Sequence, residues 1–387
     1  MIDWQSDKNE ILFNPRMPEP AKVVLFHSIS QISHLKSHCA FATSGSSGQL
    51  KWALLSKSAV LTSANAVNSH LECNKKDIWL NPLPDFHVGG VGIIARGYLI
   101  GAKVIPCNFP NFKWNPEHFI KQLRLNHVTL TSMVPAQIFD LVSLGYPAPA
   151  SLRGIIIGGG ALSEKIYFAA LKLGWRLLPS YGLTECASQV ATAEFGSWNL
   201  STYPLLKPLK HVQLAVDKAG FLNIKSDALL TSYLEVPSST SSKKTEQFLL
   251  RDPKKKGWLK TEDQVIFEGQ LIKSISRGEN FIKIGGESVD LLRLENILEE
   301  VKLSHNYVGD LALTALIDER LGYRLHLAVV APLNEEVKNL VLGYHQRVFP
   351  FERIHQIHHV KEIPRSPLNK PLRLALNFLI SNEYSID

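Results

Sequence analysis

No apolar run in this 387-residue chain is long enough to cross a bilayer. The best stretch, Val88 to Ile105, is broken by Arg96 and Lys103, whereas a span needs about 20 apolar residues. Cysteine is scarce. Cys39, Cys73, Cys107 and Cys186 stand far apart without C-x-x-C spacing, which gives no disulfide framework or thiolate metal site and suits a reducing compartment. The opening residues, Met1 to Lys8, lack a basic region followed by an apolar one, so nothing argues for export and the cytoplasm is the expected location. Internal repeats are absent. The net charge is +7, but Lys and Arg are scattered and form no recognition signature, so no nucleic-acid partner is expected. Lys254-Lys255-Lys256 reads as a solvated loop. A mild positive field suits polyanionic small molecules.

What is present is an ordinary globular composition, 45% hydrophobic and 20% charged, with room for two or three cores. Cys39 to Thr43 and Lys51 to Leu55 read as strands joined by a Gly/Ser turn, with a helix from Ser58 to Leu71. Strand candidates at Val128–Ser132, Arg153–Ile157 and Arg176–Ser180 then alternate with helices at Pro135–Leu144 and Ser163–Leu173. That alternation predicts βαβ units and a parallel sheet, whose ligands sit beyond the carboxyl ends of the strands. Pro237 to Lys244 has the composition of an exposed loop. Beyond Arg277 the pattern changes to a helix at Leu291–Lys302, strands at Ala312–Ile317 and Arg324–Val330, a helix starting at Asn334 and a last one after Lys370.

Several segments combine the residue types that handle phosphate. Thr43, Ser44, Gly45, Ser46, Ser47 and Gly48 offer hydroxyls and backbone N–H groups around a turn that ends in the cation Lys51. A Walker A loop needs Lys directly after its second Gly, so this is a different cradle. Gly158, Gly159 and Gly160 close a strand and let backbone approach a flat ligand. Tyr181, Gly182, Thr184 and Glu185 supply an aromatic face, a hydroxyl and a carboxylate at the end of another strand. Asp263 can accept hydrogen bonds from two hydroxyls, and Arg277 donates in a fork. Lys370 follows Pro364-Arg-Ser-Pro-Leu-Asn369. Taken singly, each has a bland reading as a flexible hairpin, a core tyrosine, a surface acid or a C-terminal lysine.

In order and spacing, the set resembles the adenylate-forming ligases, the family of acyl-CoA synthetases, peptide-synthetase adenylation domains and luciferases. The resemblance covers residues 40 to 375. It implies an α/β fold: a large N-terminal domain, residues 1–276, of mixed and parallel sheets flanked by helices, and a small mobile α+β C-terminal domain, residues 280–387. The hinge falls near 277–280, with Glu279 as the hinge residue. By the same resemblance the Thr43 to Lys51 loop holds the β and γ phosphates of ATP, and Gly158 to Gly160 with Tyr181 encloses adenine. Thr184 contacts the α-phosphate, Glu185 ligates Mg²⁺, and Asp263 and Arg277 hold ribose. Lys370 supplies the ammonium for adenylation, and His87 in Pro82-Leu-Pro-Asp-Phe-His87 lies near the acyl and thiol pocket.

Four departures from the family pattern are visible: Leu50 for Pro, Glu262 for Gly, Ser276 for Gly and Asn369 for Gly. Only the residues before Thr43 precede the phosphate loop, so the large domain reads as short at its N-terminus.

Thr131-Ser-Met-Val-Pro-Ala-Gln137, Ser180 through Gln189 and Gly257 through Asp263 are similar to the o-succinylbenzoate–CoA ligases of menaquinone biosynthesis. This implies ATP, Mg²⁺ and coenzyme A as cofactors and co-substrate, a small carboxylic acid as partner, and Ser188 and Gln189 at the acyl pocket. Another aryl or medium-chain acyl-CoA ligase, and a degenerate non-catalytic nucleotide-binding relative, stay open. So does a homodimer. His355, His358 and His359 fall in a strand-like segment without a second cluster, and no metal site is expected there.

Overall fold

The structure, a computed structural model, describes residues 2–15, 17, 19–32, 35–43, 51–109, 114–235, 248–277, 281–305, 307, 309–330, 332, 334–365 and 371–383. They divide into two compact units, one of residues up to Arg277 and one of residues from Phe281 onward.

The large unit holds an eleven-stranded sheet. Half of it is parallel: Lys103–Pro106, Ile78–Asn81, Leu130–Met133, Gly154–Ile157 and Leu177–Leu183 lie side by side in that order. The helices Val88–Ile100, Pro116–Leu125, Pro135–Ser143 and Glu164–Lys172 connect or flank these strands. Every residue of Leu130–Met133 and Gly154–Ile157 is buried, because a parallel sheet is covered on both faces. The helices begin where sequence chemistry favours it: Asn115 and Ser163 accept from the third backbone N–H beyond them.

After Leu177–Leu183 the sheet turns antiparallel through Ser188–Ala193, Leu206–Pro208, Leu271–Arg277, Leu259–Glu268, Phe221–Lys225 and Gln213–Val216. Leu259–Glu268 alternates buried and exposed residues along most of its length, the mark of a strand covered on one face. That alternation turns Thr261 and Asp263 inward and Lys260, Glu262 and Gln264 outward.

A second, five-stranded sheet runs Glu10–Ile11, His38–Thr43, Lys51–Ser56, Ser232–Glu235, Leu249–Arg251. Its central strands bury both faces. Cys39, Phe41, Ala53 and Leu55 enter one core and Ala40, Trp52 and Leu54 the other, as the two-residue period of a strand requires. The helix Lys57–His70 follows, capped by Ser56. Its buried first residue, Lys57, donates to the carbonyls of Asp3 and Ser6 at 2.6 and 3.0 Å, tying down the start of the chain.

The small unit is α+β. Glu287–Asp290, Phe281–Ile284, Gly322–Val329 and Leu311–Asp318 form one sheet, and Ile354–His359 joins parallel to Gly322–Val329. Leu311, Leu313, Leu325 and Leu327 pack with the helices Leu291–Ser304 and Glu335–His345. The alternate residues Ala312 and Ala328 pack with the C-terminal helix Arg373–Glu383 through Leu376 and Ile380. The expected parallel run and small-unit elements are all found, with ends shifted by up to three residues. The expected loop at 237–244 lies outside the described residues.

Candidate active site

Two neighbouring parallel strands end together. Ile157 stands beside Pro179, so the glycine turn that follows Ile157 adjoins Ser180 and Tyr181. A Cβ on Gly158 would come within 3.2 Å of the Ser180 hydroxyl, and Gly159 has φ +78°. The fit around the first position is therefore tight, and the backbone conformation favours glycine at the second.

Tyr181 reaches across the sheet. Its hydroxyl donates to Asp263 Oδ2 at 2.7 Å, joining two residues that lie far apart in sequence. Asp263 is buried, and its backbone N–H is held by the Thr261 hydroxyl at 3.1 Å. The register of the antiparallel pair sets Arg277 directly opposite Asp263. Gly182 sits at an irregularity in the pairing with Ser188–Ala193. A Cβ there would stand 1.8 Å from the Ser188 carbonyl oxygen. Beyond it Thr184–Cys186 forms a single 3₁₀ turn, closed by left-handed Ala187.

Glu185 on that turn accepts a hydrogen bond from Tyr233 at 2.7 Å, through Oε1. Its backbone carbonyl accepts from Leu230 N–H at 2.8 Å. Burial first, and the Glu185 charge second, push the Tyr233 hydroxyl well above its ordinary range, so it remains a donor at neutral pH. Thr43 and Lys51 are the last pair of an antiparallel ladder, and the Thr43 hydroxyl donates to the Lys51 carbonyl at 3.2 Å. The two ends of the expected phosphate loop are thus held together. The Lys51 ammonium lies 3.5 Å from Glu235, which also pairs with Arg251 at 3.2 Å. Sequence reasoning missed Tyr233 and Glu235. Their positions on one face of a short strand gave the only signal.

His87 precedes the helix Val88–Ile100, and its ring lies tilted against Phe86 with centroids 4.6 Å apart. Ser188 and Gln189 open the strand Ser188–Ala193. Gln189 is buried, and its amide oxygen accepts from Arg96 Nη2 at 2.7 Å. Arg96, also buried, donates to Ser132 at 3.2 Å and lies over the Trp79 ring at 5.3 Å. Among the described residues no carboxylate pairs with it and its Nε has no hydrogen-bond partner. Burial lowers its guanidinium to about 10. Arg96 too was missed as a site residue, although a charged residue inside the apolar sequence Val88 to Ile100 was the available signal. Ser44, Gly45, Ser46, Ser47, Gly48, Glu279 and Lys370 lie outside the described residues, as does the side chain of Arg277. Among the described residues no cluster of His, Cys, Asp or Glu could hold a metal on its own, and no helix is long and apolar enough to cross a membrane.

The family model described as AMP-binding enzyme matches residues 37–221, which span the glycine turn, Tyr181 and Glu185. The chain is 25% identical over 342 residues to a 2-succinylbenzoate–CoA ligase of Bacillus cereus, covering 87% of this chain and 69% of that one. Its fold matches a double mutant of the o-succinylbenzoate CoA synthetase of Bacillus subtilis bound with a product analogue. The TM-score is 0.70 at 23% identity, covering 87% of this chain and 68% of that one. The same Bacillus subtilis enzyme in complex with ATP and magnesium ion matches with a TM-score of 0.53, also at 23% identity, over 87% and 69% of the two chains. Residues 37–221 thus match the AMP-binding enzyme family, and the chain is similar in sequence and in fold to adenylate-forming ligases. These matches make it an AMP-forming acid–thiol ligase, similar to the 2-succinylbenzoate–CoA ligases.

Proposed function

We propose that this chain activates o-succinylbenzoate with ATP and transfers the acyl group to coenzyme A, a step of menaquinone biosynthesis. In the first half-reaction a carboxylate oxygen attacks the α-phosphorus and pyrophosphate leaves. In the second, the thiol sulfur attacks the acyl carbon and AMP leaves. Asp263 accepts from ribose hydroxyls, and Tyr181, braced by its bond to Asp263, offers its ring to adenine. The glycine turn gives the base a close backbone wall. Thr184 contacts the α-phosphate, Lys51 lies at the base of the phosphate loop, and His87 borders the acyl end. The residues present fit a hard divalent cation: Glu185 uses Oε1 to accept from Tyr233, and its other oxygen suits Mg²⁺ coordination. Mg²⁺ would clamp the phosphates and offset charge that develops on the leaving pyrophosphate. Lys370 supplies the ammonium that lets two anions approach, and Glu279 is the hinge residue.

The observation that carries the choice of acid is Arg96. Among the described residues this buried guanidinium meets only neutral groups, so no anion there offsets its desolvation. The second carboxylate of a diacid supplies that charge, and a benzoate or fatty acid does not. The test is a panel of acids with ATP, Mg²⁺ and coenzyme A, read by mass detection of the thioester. o-Succinylbenzoate is expected to be preferred. Arg96→Gln should cut its kcat/KM by roughly two to three orders of magnitude, the range expected when one partner of a buried ion pair is removed. Monocarboxylates should be spared. Preference for monocarboxylates in the wild-type protein would move the assignment to another acyl-CoA ligase, and no thioester from any acid would favour a non-catalytic relative.

A further inference from the structure

The strand Ser232–Glu235 touches two motif residues through two side chains that share a face. Tyr233 and Glu235 are two positions apart, so they project to the same side. Tyr233 donates to Glu185, and Glu235 stands directly opposite Lys51 in the ladder and pairs with its ammonium. Arg251 on the next strand binds the pair together. It is opposite Tyr233 in register, its guanidinium lies over the Tyr233 ring at 5.3 Å, and its Nε reaches Glu235 at 3.2 Å. The contacts form one chain: Glu185, Tyr233, Arg251, Glu235, Lys51.

A carboxylate on a 3₁₀ turn has free rotation about its side-chain bonds unless something fixes it. One hydrogen bond to Oε1 selects an orientation and leaves Oε2 directed elsewhere. A cross-strand ion pair does the same for the flexible Lys51 stem, at the point where the chain leaves the expected phosphate loop.

We propose that Tyr233 and Glu235 are positioning residues: Tyr233 orients Glu185 for the nucleotide's divalent cation, and Glu235, braced by Arg251, orients Lys51 at the base of the phosphate loop. The proposal rests on the ATP-dependent reading above, and it adds residues outside the motifs that carry that reading. Outer partners of metal ligands, when removed, lower metal affinity by roughly 10- to 100-fold.

The test uses Mn²⁺ as the probe, with free Mn²⁺ followed by electron paramagnetic resonance in the presence of ATP and the full-length protein. Tyr233→Phe keeps the ring and removes only the hydroxyl. It is expected to weaken Mn²⁺ binding by roughly 10-fold or more while leaving metal-free ATP binding unchanged. Glu185→Gln should show a loss at least as large, and the double variant Tyr233→Phe/Glu185→Gln should be no worse than Glu185→Gln alone, because the hydroxyl acts through that carboxylate. Glu235→Gln should weaken metal-free ATP binding several-fold. Wild-type Mn²⁺ affinity in Tyr233→Phe, or additive losses in the double variant, would overturn the Tyr233 role. Unchanged ATP affinity in Glu235→Gln would overturn the Glu235 role. If the wild-type protein bound no Mn²⁺ with ATP, the nucleotide reading would fail first, and the positioning roles with it.

Discussion

At Gly182 a hydrogen atom is the only side chain the backbone admits. The pairing of Leu177–Leu183 with Ser188–Ala193 shifts register between Tyr181 and Gly182. The returning chain passes so close that a Cβ would lie 1.8 Å from the Ser188 carbonyl oxygen and 2.7 Å from its carbon. Both neighbours are backbone, and the turn is already strained: Ala187 and Ser188 have φ of 50° and 97°, where non-glycine residues are uncommon. Gly182→Ala is therefore expected to lower the unfolding free energy by about 1–3 kcal/mol, as overpacking does, and to displace Tyr181 and Glu185. Chemical denaturation of the variant checks this; an unchanged midpoint would contradict it. At this scale the sequence made Tyr181, Glu185 and Asp263 legible, because their types suit the chemistry and their order follows a family pattern. Tyr233, Glu235 and Arg96 were not legible in that way. Each acts through a partner distant in sequence, and only strand register or helix packing brings the partners together. Arg96 interrupts an apolar run, and was read only as excluding a membrane span.

Among the elements, the small unit carries a buried pair of imidazoles. His326 on Gly322–Val329 and His358 on Ile354–His359 have ring nitrogens 2.8 Å apart, and both residues are buried. One ring donates N–H and the other accepts, an arrangement that two cations could not share. Burial first, then the charges of His358, His355 and Arg324, lower His326 from 6.5 to about 4. Its folded-state pKa is thus depressed below the unfolded value. The unfolded chain takes up this proton as pH falls below 6.5, while the folded chain resists it until about 4. Stability present above 6.5 is lost progressively across that window. Thermal unfolding at stepped pH should show a steeper acid loss in wild type than in His326→Gln; equal slopes would contradict it. The elements themselves were largely legible. The parallel strands are short apolar runs between helices, two of which carry an Asn or Ser cap, and the small-unit strands alternate between two cores. The antiparallel half of the large sheet was less legible, because Leu206–Pro208 and Gln213–Val216 are short and contain no buried residue, with little pattern to read.

For the whole molecule, the proposed function assigns nucleotide binding to residues of the large unit and adenylation to Lys370. The site's described members, Tyr181 with Asp263, Glu185 with Tyr233 and Lys51 with Glu235, are each held by a direct contact. Lys370 enters from its motif alone. A single ammonium acting where two anions meet should matter for forming the acyl-adenylate and not for consuming it. The most direct measurement is pyrophosphate release from ATP and Mg²⁺ with and without o-succinylbenzoate, in wild type and Lys370→Ala, alongside thioester formation from supplied acyl-adenylate and coenzyme A. Acid-dependent release by the wild-type protein, its loss in Lys370→Ala and thioester formation retained by both are expected. Release that ignores the acid, or equal loss of both half-reactions in the variant, would contradict the proposed function.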